Sequence, residues 1–154
     1  MKKMMRRKDR LLPNDEALSI IEKGEYGVLS TVSSSNEPYG VPLNYCLIND
    51  NIYFHCALEG QKLDNISSNS KVSFCVVGET LIQPDKFATK FESYIVQGTA
   101  IEVFDEEKQM ALEGLIKKYS GQFESEGLDY IKKVKSKARV IKIIQKSFSG
   151  KAKR

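Results

Sequence analysis

The chain holds one histidine, His55, followed directly by Cys56 and then, within the run HCALEGQKLD, by Gly60, Gln61 and Lys62. A histidine with an ordinary pKa of about 6.5 can hold or pass a proton near neutrality. A lysine beside a glycine at the start of a helix makes an anion site, because the first backbone N–H groups have no partners and the helix dipole is positive there. A phosphate would fit such a place. Each signal is weak alone: a lone histidine beside an apolar run is commonly structural, and Gly-x-Lys recurs by chance. His55 and Cys56 do not suit a nucleophile and base pair, since neighbours in a strand point to opposite faces.

Other chemistries fit less well. The three cysteines, Cys46, Cys56 and Cys75, lie in strand-like segments without a Cys-x-x-Cys pair, so no metal ligand is assigned and reduced thiols in a cytoplasm are expected. Nucleotide-binding glycine loops and the Gly-x-Ser-x-Gly elbow do not occur.

The elements that must position these residues read as follows. Residues 14–23 form an amphipathic helix with Asn14 as its cap, acids in its first turn and Gly24 ending it; Leu18, Ile20 and Ile21 face the core. YGVLSTV, YGVPLNYCLI and NIYFHCA are three β-prone runs separated by SSSNEP and NDN, which predicts an antiparallel meander. GQKLDNISSNS is a short helix and KVSFCVVG the next strand. ETLIQPDKFATKFE has no clear period and contains Pro84, so it reads as a long connection of the kind that often carries function. SYIVQGTAIEVF is a fifth strand. DEEKQMALEGLIKKYS is a second long helix, with Asp105 at the cap and Met110, Leu112, Leu115 and Ile116 at helical spacing. A short helix follows, ARVIKIIQKSF is the sixth strand, and GKAKR trails off.

With 154 residues, 41% of them hydrophobic, one domain spanning residues 1–154 is expected. Six short strands with few helices point to a barrel or sandwich. A small barrel fills its own interior, so a sizeable ligand must sit outside it, most naturally where two copies meet. The net charge of +4 conceals a basic segment at each end: residues 1–10 carry six basic and one acidic side chain, and residues 132–154 carry ten basic and no acidic ones. Residues 1–10 and 150–154 are read as flexible, solubilising ends, and nothing in the acidic middle resembles a nucleic-acid module. No apolar run is long enough to cross a membrane, and the charged start lacks the core of a signal peptide.

The order YGVLSTV, EPYGVPLNY, IYFHCALEGQKLDNI, KVSFCVVG, KFESYIVQGTA and RVIKIIQKSFSGK, covering nearly the whole chain from Arg6 to Lys151, resembles the pyridoxamine-phosphate-oxidase-like flavoproteins and, within them, the nitroimidazole-resistance type. The resemblance implies a mainly β fold, a six-stranded antiparallel split β-barrel with peripheral helices. It also implies a homodimer holding FMN at the subunit interface, and an FMN-dependent oxidoreductase or nitroreductase that takes electrons from a small-molecule donor and passes them to an acceptor. By position, Val41, Pro42, Leu43 and Asn44 would line the isoalloxazine ring, and His55, Cys56 and Ala57 would flank the ring and ribityl chain. Gly60, Gln61 and Lys62 would take the phosphate, and Ser93 would reach across from the other subunit. His55 is the candidate catalytic residue. The true pyridoxamine phosphate oxidases carry arginine and lysine where Tyr39 and Asn44 stand, and an Arg-x-His motif near the C-terminus that is missing here, so vitamin B6 oxidation is not expected. With one cation at the phosphate, help from basic tail side chains folding back is a further expectation. The alternative is a flavin- or haem-binding protein without turnover, with His55 as an axial ligand.

Overall fold

The computed structural model describes residues 3–154; Met1 and Lys2 of the basic N-terminal end lie outside the described residues. The first regular element is α1 (Asn14–Lys23), with Asp15 and Glu16 in its first turn and Lys23 in its last, the charge order a helix dipole favours. Pro13, not Asn14, holds the cap position, its carbonyl accepting from the Ala17 N–H at 3.0 Å. Then come β1 (Gly27–Val32), β2 (Pro38–Leu43), β3 (Cys46–Ile48), β4 (Asn51–Cys56), α2 (Gln61–Ser68), β5 (Lys71–Gln83) and β6 (Ala88–Val103). The chain ends with α3 (Asp105–Ser120), α4 (Glu124–Val134) and β7 (Arg139–Lys153). Phe104 takes the cap position of α3 that Asp105 was expected to hold.

The strands form one antiparallel sheet of seven, in the order β2-β1-β5-β6-β7-β4-β3, against the six expected. The extra strand arises because YGVPLNYCLI is not one strand: Asn44 and Tyr45 break it into β2 and β3. Those two strands are the opposite edges of the sheet, yet only two residues separate Leu43 from Cys46. The sheet must therefore curl until its edges meet at that link, which makes a barrel split along one seam. Its interior is a single core of Leu29, Phe54, Phe74, Tyr94, Val96, Ile141 and Ile143, closed by Ile20 and Ile21 of α1 and by Leu63 of α2. A second cluster, including Tyr53, Val103 and Val140, lies on the outer side of the sheet beneath Ala111, Leu112 and Leu115 of α3 and Ile131 of α4.

Two turns are set by local chemistry. Asn49 and Asp50 both take positive φ, 51° and 63°, giving a two-residue turn whose twist suits the β3–β4 hairpin. In the β1–β2 turn, the Ser33 hydroxyl accepts from the backbone N–H groups of Ser35 and Glu37.

Two further expectations are corrected. ETLIQPDKFATKFE is not an unstructured connection: β5 and β6 continue through it, and from Leu81 to Lys90 they form a two-stranded arm turning at Pro84–Lys86. Its apolar residues did not reveal a period because both faces of the arm are exposed, so no buried side imposes one. The C-terminal residues do not trail off either. Lys151, Ala152 and Lys153 pair with Ser93, Glu92 and Phe91, because a strand can go on pairing with its neighbour whether or not its side chains are apolar. Lys151 Nζ lies 5.7 Å from the Phe91 ring centre, and Arg154 pairs with Glu16 at 3.0 Å, so these cations are engaged away from Lys62.

Candidate functional site

The seam is bounded by two free strand edges. β2 pairs with β1 over its whole length and with no other strand, while β3 covers β4 only from Asn51 to Tyr53, so Phe54, His55 and Cys56 pair with β7 alone. Free edges present unpaired backbone donors and acceptors, which proteins cover or use. Val41 and Leu43 point inward from one lip and pack on the core that contains Phe54, Cys56 and Leu63; Pro42 points outward and is exposed. On the other lip Cys56 is buried in that core, His55 is exposed on the opposite face, and Ala57 is exposed just beyond the strand. The expected opposition of His55 and Cys56 is what the pleat produces.

At the end of the seam Gly60 begins α2 with φ 155° and ψ 172°, a conformation essentially restricted to glycine. Lys62 follows in the first turn, half-buried and with no carboxylate within ion-pair distance among the described residues. Gln61 is used differently: its Nε2 donates to Asn65 Oδ1 at 2.7 Å, and Asn65 Nδ2 donates to Thr31 Oγ1 at 2.9 Å. Asn65 and Thr31 are both buried, so this chain of amides and hydroxyl fastens α2 to β1 and fixes where Lys62 stands. Sequence reasoning missed this network; its one trace is a polar residue, Asn65, between the apolar Leu63 and Ile66.

Two of the predicted site residues lie apart from the rest within one chain. The Asn44 amide donates to the Glu25 carbonyl at 3.0 Å, beside Tyr119 of α3. Ser93 lies on the outer face of β6, in register with Val77 and Lys151. It can join the seam only from another copy of the chain.

Arg139 was not singled out as a site residue from the sequence, where it stands near the start of ARVIKIIQKSF, the run read as the last strand. It stands opposite Cys56 in the β4–β7 ladder and lies 3.8 Å from Glu102. Burial pushes the Cys56 thiol above its ordinary pKa, with the charges of Lys62 and Arg139 opposing the rise. Partial desolvation of the His55 ring, although the residue as a whole is exposed, lowers its pKa, so its neutral form prevails at pH 7. Among the described residues no three His, Cys, Asp or Glu side chains gather to hold a metal, and no helix is long and apolar enough to cross a membrane.

The fold is thus a split barrel whose seam has two free-edged lips, with Lys62 at one end. Residues 13–152 match the profile of the pyridoxamine 5'-phosphate oxidase family, and the chain belongs to that family. Among curated proteins no match was found. Solved structures share the fold at low identity. A protein of Bacteroides thetaiotaomicron, provisionally described as a 5-nitroimidazole antibiotic resistance protein, superposes with a TM-score of 0.75 at 22% identity over 92% of this chain and 86% of its own. An FAD-binding protein of Mesorhizobium loti gives 0.67 at 20% identity over 94% and 98%. A heme-binding protein of Mycobacterium smegmatis gives 0.68 at 16% identity over 89% of this chain and 53% of its own.

Proposed function

We propose that the protein is an FMN-binding flavoprotein of the nitroimidazole-resistance type, a homodimer that works as an FMN-dependent oxidoreductase in the cytoplasm. The observation that carries this reading is the seam itself, two free strand edges ending at Lys62. An isoalloxazine edge needs several donors and acceptors in a row, which backbone edges offer, and a phosphate monoester needs cations at one end. Residues 41–43 and 54–57 would hold the ring and ribityl chain, and Lys62 the phosphate. FMN supplies the redox chemistry when bound. The chain's own part is to orient it, exclude water and place His55, which in its neutral form can accept a proton at one ring nitrogen while donating a hydrogen bond from the other. The three free thiols are in keeping with a reducing compartment.

A second copy would complete the site, and the surface supports one. On the outer face the rows Pro42–Val28–Cys75–Ile95–Ser149 and Gly40–Ser30–Ser73–Gln97–Ser147 are small or apolar except at Gln97, and α3 and α4 cover a different part of the sheet. The arm adds Leu81, Ile82 at 72% exposure and Phe87 at 97%, the last in a left-handed conformation with φ 50°. An isolated two-stranded ribbon is marginal in water, so this arm is expected to lie against another surface. Ile82→Glu should shift the protein from dimer to monomer in analytical ultracentrifugation while leaving the fold intact by circular dichroism. A wild-type protein that sediments as a monomer at micromolar concentration would remove the dimer.

The function is tested by adding FMN to the purified protein, desalting and recording its absorption. Retained flavin bands are expected, and the His55→Ala protein should keep FMN while losing turnover with a reduced nicotinamide and a nitroaromatic acceptor. Equal loss of both properties would make His55 structural. A Soret band on adding heme, with no retained FMN, would replace the flavin reading by the heme-binding one.

A further inference from the structure

Two cations from distant parts of the sequence, Lys62 and Arg139, stand near Cys56. Arg139 opens β7 opposite Cys56, and partners in an antiparallel ladder project to the same side of the sheet. Since Cys56 points into the core, Arg139 lies on the inner face at the end of the barrel, and Leu63 of α2, the residue after Lys62, packs in the same cluster as Cys56. Both charges reach the Cys56 sulfur strongly enough to oppose the effect of its burial. The carboxylate answering Arg139 is Glu102, at 3.8 Å, too long for a hydrogen bond, in a partly exposed pair of a kind that contributes little. Neither the guanidinium nor the Lys62 ammonium donates a hydrogen bond to any described residue. A bound anion would use donors that the fold leaves idle.

We propose that Arg139 is the second cation of a phosphate monoester site, acting with Lys62, and that Glu102 is the resident counter-ion which the phosphate displaces. The identity of the ligand that carries the phosphate rests on the flavin reading; the anion site does not. A planar guanidinium can grip two phosphate oxygens at once, which a lysine cannot, so the pair would set a preference for FMN over riboflavin. It also supplies from the start of β7 the cationic help that was expected from the tail.

The test compares wild type, Arg139→Gln and Glu102→Gln, each titrated with FMN, riboflavin and inorganic phosphate. Arg139 and Glu102 are partly exposed, and neither substitution removes a core contact. Arg139→Gln should weaken FMN about tenfold or more, as expected for losing charge-assisted hydrogen bonds, and leave riboflavin affinity unchanged. Glu102→Gln should tighten FMN. Inorganic phosphate should raise the melting temperature of wild type but not of Arg139→Gln. Unchanged FMN affinity in Arg139→Gln, or a matching loss of riboflavin, would overturn the role of Arg139, and weaker FMN binding in Glu102→Gln would overturn that of Glu102. If wild type ignores FMN yet is stabilised by phosphate through Arg139, the anion site stands and the flavin reading falls. If it responds to neither ligand, both fall.

Discussion

Lys62→Ala will weaken FMN binding by about ten- to a hundredfold, the equivalent of the ~1.5–3 kcal/mol that a hydrogen bond to a charged group contributes. The physical case is local. Gly60 turns the chain into α2 in a conformation that a side chain would strain, and the Gln61–Asn65–Thr31 network then fixes the first turn against β1. The ammonium is thus held in place before a ligand arrives, so binding spends little entropy on ordering it. Because Lys62 takes part in no ion pair among the described residues, the unliganded variant should melt no lower than wild type. The discriminating measurement is a pair of titrations, with FMN and with riboflavin. A drop confined to FMN assigns the phosphate to Lys62; an equal drop for both ligands, or none, removes that assignment.

Tyr45→Ala is expected to destabilise the fold by about 3–5 kcal/mol, the usual range for deleting a large buried aromatic ring. Tyr45 is fully buried at the link between β2 and β3. Its hydroxyl donates to the Ile21 carbonyl of α1 at 2.5 Å, and its ring meets Phe74 edge-on at 5.0 Å. Lys118 of α3 sits 3.7 Å over the ring centre, and the Tyr45 backbone N–H donates to the Tyr119 hydroxyl at 3.1 Å. One residue therefore ties the seam to the core and to two helices. Tyr45→Phe separates the contributions: it keeps the ring and leaves the Ile21 carbonyl without its partner, at a cost of about 1–3 kcal/mol. Chemical denaturation of both variants reads the difference. An alanine variant within 1 kcal/mol of wild type, against the principle that buried rings are costly to remove, would show that the link is not anchored by Tyr45.

Much of the local structure was legible in the chain. The helix over residues 14–23 and the one beginning at Asp105 follow from apolar spacing and charge placement, although Pro13 and Phe104 displaced the expected caps. The short helix after Gly60 and the turns at SSSNEP and NDN follow from residue types with strong local preferences. The order of motifs carried the family and the split barrel. What the sequence left open depends on partners distant along the chain. Whether YGVPLNYCLI forms one strand or two is decided by Tyr45, which must enter the core and reach Ile21, and no local preference encodes that. Whether ETLIQPDKFATKFE pairs with itself is decided by the backbone ladder, which is blind to hydrophobic period where neither face is buried. The pairing of Arg139 with Cys56 comes from the β4–β7 register, and the packing of Leu63, next to Lys62, in the cluster that holds Cys56 comes from the docking of α2. By itself, the sequence determined most of the elements, the family and the residues capable of chemistry. The tertiary structure alone decided which of them converge, because convergence depends on strand register and curvature, and these arise from contacts among the whole set of strands.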